Sequence, residues 1–300
     1  MKILCVCLST SVQKTLNFDK FTPTCVNRSL SFIENAGGKA INTARILNQL
    51  EPKSAKIICP IGTNNKERFL SLIKKDDLDF DFIEIPGATR ECWTILEKNG
   101  RTTEIIADEK PIDSEKFKTS GYDLLLIKKV QEEIKNCGAL VLAGSCPTHW
   151  GKTFLAQIAE CAKAKNKPVV ADFKGENLTK TILAMENSSA DFFVKINRQE
   201  FEQTFLCSLK RGIKNISLKN PFVTFIVTNG KKSTVLAKNG KIQSFCTQKL
   251  KPVNTTACGD AFNAGFIFEY LKSKDIKKAV EVGTTCASKN AVTQTPGSLF

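Results

Sequence analysis

Several features that would assign a chain to a common class of protein are missing from this sequence. It contains one histidine, His149, and no serine–histidine–aspartate arrangement can be built around it, which argues against a hydrolase triad. A histidine at a helix start without a partner motif is more often structural. No apolar run is long enough to span a membrane, and residues 3–8 are too few for the core of a signal peptide. Internal repeats and low-complexity linkers are also missing, so we expect one domain over residues 1–300.

Zinc-binding cysteine patterns are missing as well. The twelve cysteines are scattered along the chain, and no pair of CxxC motifs occurs among them. A chain of 300 residues can bury enough surface to fold without disulfides. We therefore expect reduced thiols and a cytoplasmic protein.

Acidic residues are scarce relative to basic ones, which gives a formal net charge of +14. Such a charge is compatible with nucleic-acid binding. The lysines, however, occur in scattered pairs such as Lys74-Lys75 and Lys231-Lys232, and no long basic tract or binding motif appears. We expect a solvated basic surface that also attracts phosphorylated ligands, with neither nucleic acid nor membrane as a partner.

The most informative stretch is residues 254–265, which read NTTACGDAFNAG. Two threonines signal a helix start, small residues follow, and a helical pattern begins at residue 261. An anion can approach the unpaired N–H groups of such a helix start closely. Because a carboxylate repels phosphate, Asp260 suits a site where a hydroxyl loses its proton beside the anion, as phosphoryl transfer requires. An ordinary capped helix, in which Asp260 only favours the helix dipole, explains the stretch equally well.

This stretch resembles the signature D-T-x-G-A-G-D-x-F-x-x-G of the PfkB/ribokinase-like carbohydrate kinases. The resemblance implies that Asp260 is the catalytic base and that Ala257, Cys258 and Gly259 form an anion hole. Asn254 stands where the family has Asp, while Ala257 and Cys258 stand where it has Gly and Ala. Ala257 would strain the turn if its backbone needs a positive φ.

A second stretch, residues 35–42, reads NAGGKAIN and runs into a helix. Paired glycines let a backbone approach a ligand closely, and a lysine can reach a phosphate. The stretch resembles the family's first signature, G-G-K-G-x-N, with Ala40 in place of the last glycine. The resemblance implies that Gly37, Gly38 and Asn42 contact the sugar and that Lys39 contacts its phosphate.

Three further positions resemble the substrate-binding elements of sugar-phosphate kinases in this family. Gln13 ends the residues LSTSVQ, where those kinases have an aspartate that binds sugar hydroxyls; Gln13 can bond a hydroxyl but carries no charge. Arg90 belongs to a T-R element and would hold the phosphate already on the substrate, although a plain surface arginine is the alternative. Ser145, in the residues GSCP, matches a serine that contacts substrate.

The nucleotide and metal positions follow from two more elements. Residues 195–200, KINRQE, resemble K-P-N-x-x-E, and Asn197 and Glu200 lie one helical turn apart. That spacing suits a hydrated Mg²⁺ near ATP phosphates, and the same pair would also cap a helix. The resemblance places five residues at the nucleotide: Lys195, Thr228, Gly230, Cys258 and Gly259. Residues 172–175, DFKG, resemble the family's D-x-S-G element, to which we assign no role.

The order of strands and helices predicts the fold class. Their alternation favours a three-layer α/β/α domain with a mostly parallel central sheet, and the resemblance implies the ribokinase-like fold. Residues 9–14 are expected to form a polar loop, and residues 26–34 a strand. Short strands in about 12–35 and 79–108, with a hairpin at Asn99-Gly100, predict a small sheet that covers the site as a lid. Two such lids could join in a homodimer, as in several relatives.

The resemblance implies a kinase that uses ATP and Mg²⁺. The expected reaction phosphorylates a hydroxyl of a sugar phosphate, fructose 1-phosphate to fructose 1,6-bisphosphate, or else tagatose 6-phosphate. Two alternatives stay open: a kinase for an unphosphorylated sugar or nucleoside, and a catalytically weakened protein that senses a sugar phosphate. The departures from the family motifs motivate the second alternative, and the presence of Asp260, Gly259, Lys39 and Asn42 argues against it.

Overall fold

Strands and helices alternate along most of the chain. The structure, a computed structural model, describes residues 1–107, 114–247 and 250–300. Its strands are β1 Ile3–Val6, β2 Ser11–Phe18, β3 Ser31–Gly37, β4 Ala55–Gly62, β5 Phe80–Ile85, β6 Arg90–Glu97, β7 Thr102–Ile106, β8 Ala139–Ala143, β9 Val169–Asp172, β10 Phe192–Asn197, β11 Val223–Thr228, β12 Ser233–Lys238 and β13 Lys241–Cys246. Its α-helices are α1 Lys39–Leu50, α2 Lys66–Lys74, α3 Ser114–Thr119, α4 Tyr122–Glu133, α5 Phe154–Lys163, α6 Glu176–Ala184, α7 Arg198–Phe205, α8 Leu209–Lys219, α9 Cys258–Ser273 and α10 Ile276–Ala291.

A nine-stranded sheet forms the centre of the domain, in the order β13-β12-β11-β10-β9-β8-β1-β4-β5. The pairs from β11 to β5 are parallel, and β12 and β13 add an antiparallel edge. Inner strands such as β8, ALVLA, are buried along their whole length because helices cover both faces. One apolar layer packs α1, α9 and α10 against the sheet, and the other packs α4, α5 and α8. The predicted three-layer α/β/α architecture is confirmed.

A second, smaller sheet has the order β3-β2-β6-β7. Strands β6 and β7 are antiparallel and joined at Asn99-Gly100, so the predicted hairpin is confirmed. Strand β3 begins only at Ser31, so the prediction of a strand over residues 26–34 was wrong at its start. The predicted polar loop at residues 9–14 was also wrong, because β2 begins at Ser11. The run of three polar residues Ser9-Thr10-Ser11 at the start of β2 favours a loop in a reading of the sequence, although Ser11 and Gln13 lie on a strand and line a cleft.

Strand β5 corrects the predicted extent of the lid. Residues 80–85 were expected in the small sheet, but β5 pairs in parallel with β4 at the edge of the central sheet. Its sequence, FDFIEI, carries apolar residues on both faces, because Phe80 and Phe82 pack against one apolar layer and Ile83 against the other. Residue 108, the predicted end of the lid segment, lies outside the described residues.

Other expectations concern the membrane, the thiols and His149. Within the described ranges, no helix is long and apolar enough to cross a bilayer. All twelve cysteines fall within those ranges, and none of them forms a disulfide. The imidazole of His149 is buried, with its ring centroid 4.6 Å from that of Phe117. Burial lowers the pKa of His149 to about 4, so this residue is a neutral packing group.

Candidate active site

A cleft of about 1260 Å³ lies between the small sheet and the carboxyl ends of the central strands. Open α/β sheets bind ligands at this edge. The floor includes residues at or just after the ends of β1, β8, β9, β10 and β11: Ser9, Ser145, Asp172, Asn197 and Thr228. The small sheet contributes Gln13, Cys92, Thr94 and Glu104 from the opposite side.

Asp260 lies in the first turn of α9 and is buried in the cleft. Its Oδ2 accepts a hydrogen bond from Asn42 Nδ2 at 2.9 Å. Burial, and to a lesser extent the nearby carboxylate of Asp172, raise the pKa of Asp260 to about 6, although Lys39, Asn42 and Lys195 act in the opposite direction. A carboxylate with a pKa of about 6 is ionised at neutral pH and is a stronger base than an ordinary aspartate, which suits a general base.

The turn before α9 brings backbone N–H groups to the same place. Ala257 caps the helix with φ 65° and ψ 6°, which is a left-handed conformation. The sequence predicted strain at this alanine if its backbone needs a positive φ, and the structure has that positive φ. The first N–H groups of α9 have no acceptor within the helix. A Cβ on Gly259 would lie 2.6 Å from Lys195 Nζ, so glycine lets this ammonium approach the helix start.

Two lysines and one buried aspartate form the charged centre of the cleft. Asp172 accepts hydrogen bonds from Lys39 Nζ at 2.9 Å, Lys195 Nζ at 2.8 Å and Asn263 Nδ2 at 2.7 Å. Burial alone would raise the pKa of Asp172, but Lys195 and Lys39 outweigh it and hold that pKa well below its usual range. One carboxylate therefore holds two ammonium groups beside the start of α9, where they could contact a bound anion.

Asn197 and Glu200 form a capping box at the start of α7. Asn197 Oδ1 accepts from Glu200 N at 2.9 Å, and Glu200 Oε2 accepts from Asn197 N at 2.8 Å. The other carboxylate oxygen of Glu200 lies 3.3 Å from Lys39 Nζ. In the described part of the chain, no cluster of three or more His, Cys, Asp or Glu could hold a metal directly. The donor set is nevertheless oxygen-based and lines the cleft, which fits a magnesium ion held through water.

The end of the cleft below the small sheet carries neutral polar groups and one arginine. Gln13 Nε2 donates to Thr94 Oγ1 at 3.0 Å, and Ser145 Oγ lies 3.0 Å from Ser9 Oγ. Arg90 begins β6 and lines the cleft. These groups can bind sugar hydroxyls and a phosphate.

A carboxylate base, a helix start and paired ammonium groups in one cleft agree with the comparisons to known proteins. The model of the pfkB family carbohydrate kinases matches residues 2–298. The chain belongs to this family. It is an ATP-dependent sugar kinase, as the sequence predicted.

Known proteins that are similar to this pfkB kinase match it over almost its whole length. A 1-phosphofructokinase of Bacillus subtilis is 27% identical over 305 residues, covering 99% of this chain and 94% of the relative. A Thermotoga maritima structure named as a possible 1-phosphofructokinase has a TM-score of 0.83 at 15% identity, covering 98% of this chain and 93% of that one. Ribokinase of Thermotoga maritima has a TM-score of 0.72 at 20% identity, covering 99% and 95%. The ribokinase-like fold is thereby confirmed.

The structure brings almost all of the predicted site residues of this kinase into the one cleft. These are Gln13, Gly38, Lys39, Asn42, Arg90, Ser145, Lys195, Asn197, Glu200, Thr228, Gly230, Ala257, Cys258, Gly259 and Asp260. Gly37 is the exception: it is buried behind the wall, where a Cβ would lie 2.7 Å from Ser11 Oγ and 2.8 Å from Gln13 Cβ. Gly37 therefore permits the close pairing of β2 and β3. The individual roles of the residues that line the cleft stay predictions.

The sequence analysis gave no role to Asp172, although it is the group that organises the two lysines. The signal was present, because Asp172 directly follows the buried apolar residues 169–171 and thus ends a strand at the ligand-binding edge. Asn263 was missed because it is hidden in the apolar pattern of α9, where it is fully buried.

Proposed function

We propose that this kinase transfers the γ-phosphoryl group of ATP to a free hydroxyl of a sugar phosphate, with fructose 1-phosphate as substrate and tagatose 6-phosphate as the second candidate. The observation that supports it most is the buried Asp260 carboxylate beside the start of α9 and the Lys39–Asp172–Lys195 group. This arrangement supplies a base for a hydroxyl and positive charge for a phosphoryl group within one cleft.

The reaction places one proton and one phosphoryl group. Asp260 accepts the proton of the attacking hydroxyl, the new bond forms between the sugar oxygen and the γ-phosphorus, and the bond to the ADP oxygen breaks. The N–H groups at residues 257–259, together with Lys195, stabilise the charge on the transferred group. Because Lys39 lies between Asp172 and Glu200, its position favours contact with the transferred phosphoryl over the phosphate already on the sugar.

Asn197 and Glu200 would hold Mg²⁺ through water, and the ion would supply positive charge to the ATP phosphates. Glu200 also contacts Lys39, so the same helix start would link the metal and the ammonium group. Thr228 and Gly230 border the cleft near this end and would contact the nucleotide.

Arg90 is proposed to hold the phosphate of the substrate, and this decides between a sugar phosphate and an unphosphorylated sugar. Arg90→Ala should raise the KM for fructose 1-phosphate at least about tenfold and leave the KM for ATP within about twofold, because one charge-assisted contact is lost. Arg68→Ala is the matched control, since Arg68 pairs with Glu34 and Glu91 outside the cleft. An unchanged KM for the sugar phosphate in Arg90→Ala would favour an unphosphorylated substrate.

The substrate itself is tested by ATP consumption with Mg²⁺ against fructose 1-phosphate, fructose 6-phosphate, tagatose 6-phosphate, fructose, ribose and adenosine. Turnover with fructose 1-phosphate is the expected result. If no compound is turned over but a sugar phosphate raises the melting temperature, the protein is instead a sensor of that ligand.

We also propose that two chains pair through the small sheet. Leu16 and Phe32 are opposite each other in the β2–β3 register, on the face that points away from Gln13 and Thr94. Phe32 is 54% exposed, and the neighbouring Val26 and Leu30 are also exposed, so a large apolar surface needs a partner. Light scattering should show a dimer that Phe32→Asp converts to a monomer; a monomeric wild type would refute the pairing. None of the twelve cysteines forms a disulfide, and this supports a location in a reducing compartment such as the cytoplasm.

A further inference from the structure

Behind the proposed base lies a buried arginine that the reaction described above does not use. Arg45 lies on α1 one turn after Asn42 and is 7% exposed. Its Nη2 donates to Ala36 O at 2.7 Å and pairs with Asp76 Oδ2 at 2.6 Å. Its Nη1 donates to Asn42 Oδ1 at 2.8 Å.

The donors of Arg45 fix the orientation of the Asn42 amide. A side-chain amide can rotate by half a turn and exchange its oxygen and nitrogen. A guanidinium has only donors, so the atom of Asn42 that faces Arg45 must be the oxygen. The amide nitrogen is then held toward Asp260, where it donates at 2.9 Å.

The surroundings of Arg45 leave it little freedom to move. The backbone of the C-terminal segment closes over it, since Pro296 O lies 3.4 Å from Nη1 and a Cβ on Gly297 would lie 3.0 Å from the same nitrogen. The ion pair with Asp76 ties the guanidinium to the residues that follow α2. The guanidinium is therefore held in one position, from which it can fix the orientation of the Asn42 amide.

We propose that Arg45 is a positioning residue that locks the Asn42 amide with its N–H toward Asp260 and thereby keeps the base in its ionised form. The proposal rests on the proposed role of Asp260 as the proton acceptor. Without Arg45 the amide can turn its oxygen toward Asp260. An oxygen there repels the carboxylate and accepts a hydrogen bond from the protonated acid, so the pKa of Asp260 should rise.

Several other ionisable groups also act on Asp260 and must stay constant in the test. They are Lys39 on α1, Lys195 on β10, Asp172 on β9, Cys258 on α9 itself and Cys7 after β1. None of them forms a hydrogen bond with Arg45 in the described part of the chain, so Asn42 is the hydrogen-bonded link from Arg45 to Asp260.

The test compares pH profiles of turnover for the full-length wild type, Arg45→Met, Arg45→Lys and Asp76→Asn. In Arg45→Met the acid limb should move upward by about one pH unit, with a loss of about fivefold in kcat at pH 6 and an unchanged KM for ATP. The lysine in Arg45→Lys also presents only hydrogen-bond donors, so this variant should keep most of the wild-type pH profile. Asp76→Asn removes the ion pair but keeps the donors, so it should lower the melting temperature without moving the limb.

An unmoved limb in Arg45→Met would overturn the proposal, and so would an equal shift in Asp76→Asn, because the cause would then be general loosening. If Arg45→Met does not fold, Arg45→Lys and Asp76→Asn can still refute the proposal, since both must keep the wild-type limb. A titration of ¹³C-labelled aspartate carboxyl groups, with Asp260 assigned from Asp260→Asn, reads the same shift without turnover. A shifted titration in a protein that phosphorylates no sugar would refute the proposed function and leave the role of Arg45 intact.

Discussion

The left-handed alanine before α9 gives a sharp prediction about stability. An L-residue with a Cβ pays about 1–2 kcal/mol in this conformation, and glycine does not. Glycine instead costs about 0.4–1 kcal/mol through the greater freedom of the unfolded chain. Ala257→Gly should therefore stabilise the fold by about 0.5–1 kcal/mol, which in a 300-residue chain raises the melting temperature by about 1–2 °C.

Chemical denaturation of matched variants checks this magnitude. Ala257→Val should lose stability, because a β-branched residue is strained at this φ. Leu206→Gly is the control: Leu206 has φ 53° after α7 and is 90% exposed, so glycine relieves the same strain there without loss of packing. If Leu206→Gly is more stable than the wild type while Ala257→Gly is not, the left-handed conformation of Ala257 does not lower the stability of the fold.

Three further predictions concern the charged centre of the cleft. The pKa of Asp260 is about 6 in the folded protein and about 3.9 in the unfolded chain, so the stability of the wild type falls as the pH rises between these values. Urea unfolding should therefore show that Asp260→Asn is more stable than the wild type by up to about 3 kcal/mol at pH 7.5, but not at pH 4. Asp172→Asn removes the carboxylate that Lys39 and Lys195 share and leaves only Lys39 with a second one, Glu200, so it should cost about 3–5 kcal/mol in urea unfolding at pH 7.5; a loss under 1 kcal/mol would refute this. In Gly259→Ala the new Cβ would lie 2.6 Å from Lys195 Nζ and displace this buried ammonium group, so the variant should lower kcat at least about tenfold; unchanged turnover would show that the approach of Lys195 is not needed.

The sequence predicts the centre of this fold better than its margins. Inner parallel strands such as β8 are continuous apolar runs, because they are buried on both faces. The start of β2 was predicted as a loop because residues 9–11 are all polar, and β5 was assigned to the wrong sheet because its partner is set by pairing between distant segments. Local patterns do not contain that pairing.

The same distinction holds for the site. The residues of the two family-like stretches, including Asp260 and Asn42, could be predicted because each stretch is a local turn and helix start that resembles a family signature. No role was predicted for Asp172 or Arg45. Their contacts join residues far apart in the chain, such as Lys39 with Asp172 and Arg45 with Pro296, and only the assembled domain brings these together.

The central claim is that Asp260 accepts the proton of a sugar-phosphate hydroxyl during phosphoryl transfer. The direct measurement is turnover of fructose 1-phosphate with ATP and Mg²⁺ by wild type and Asp260→Asn, together with calorimetric binding of ATP to both. We expect wild-type turnover that falls at least about 100-fold in the variant, while ATP affinity stays within about twofold. Undiminished turnover in Asp260→Asn would contradict the account.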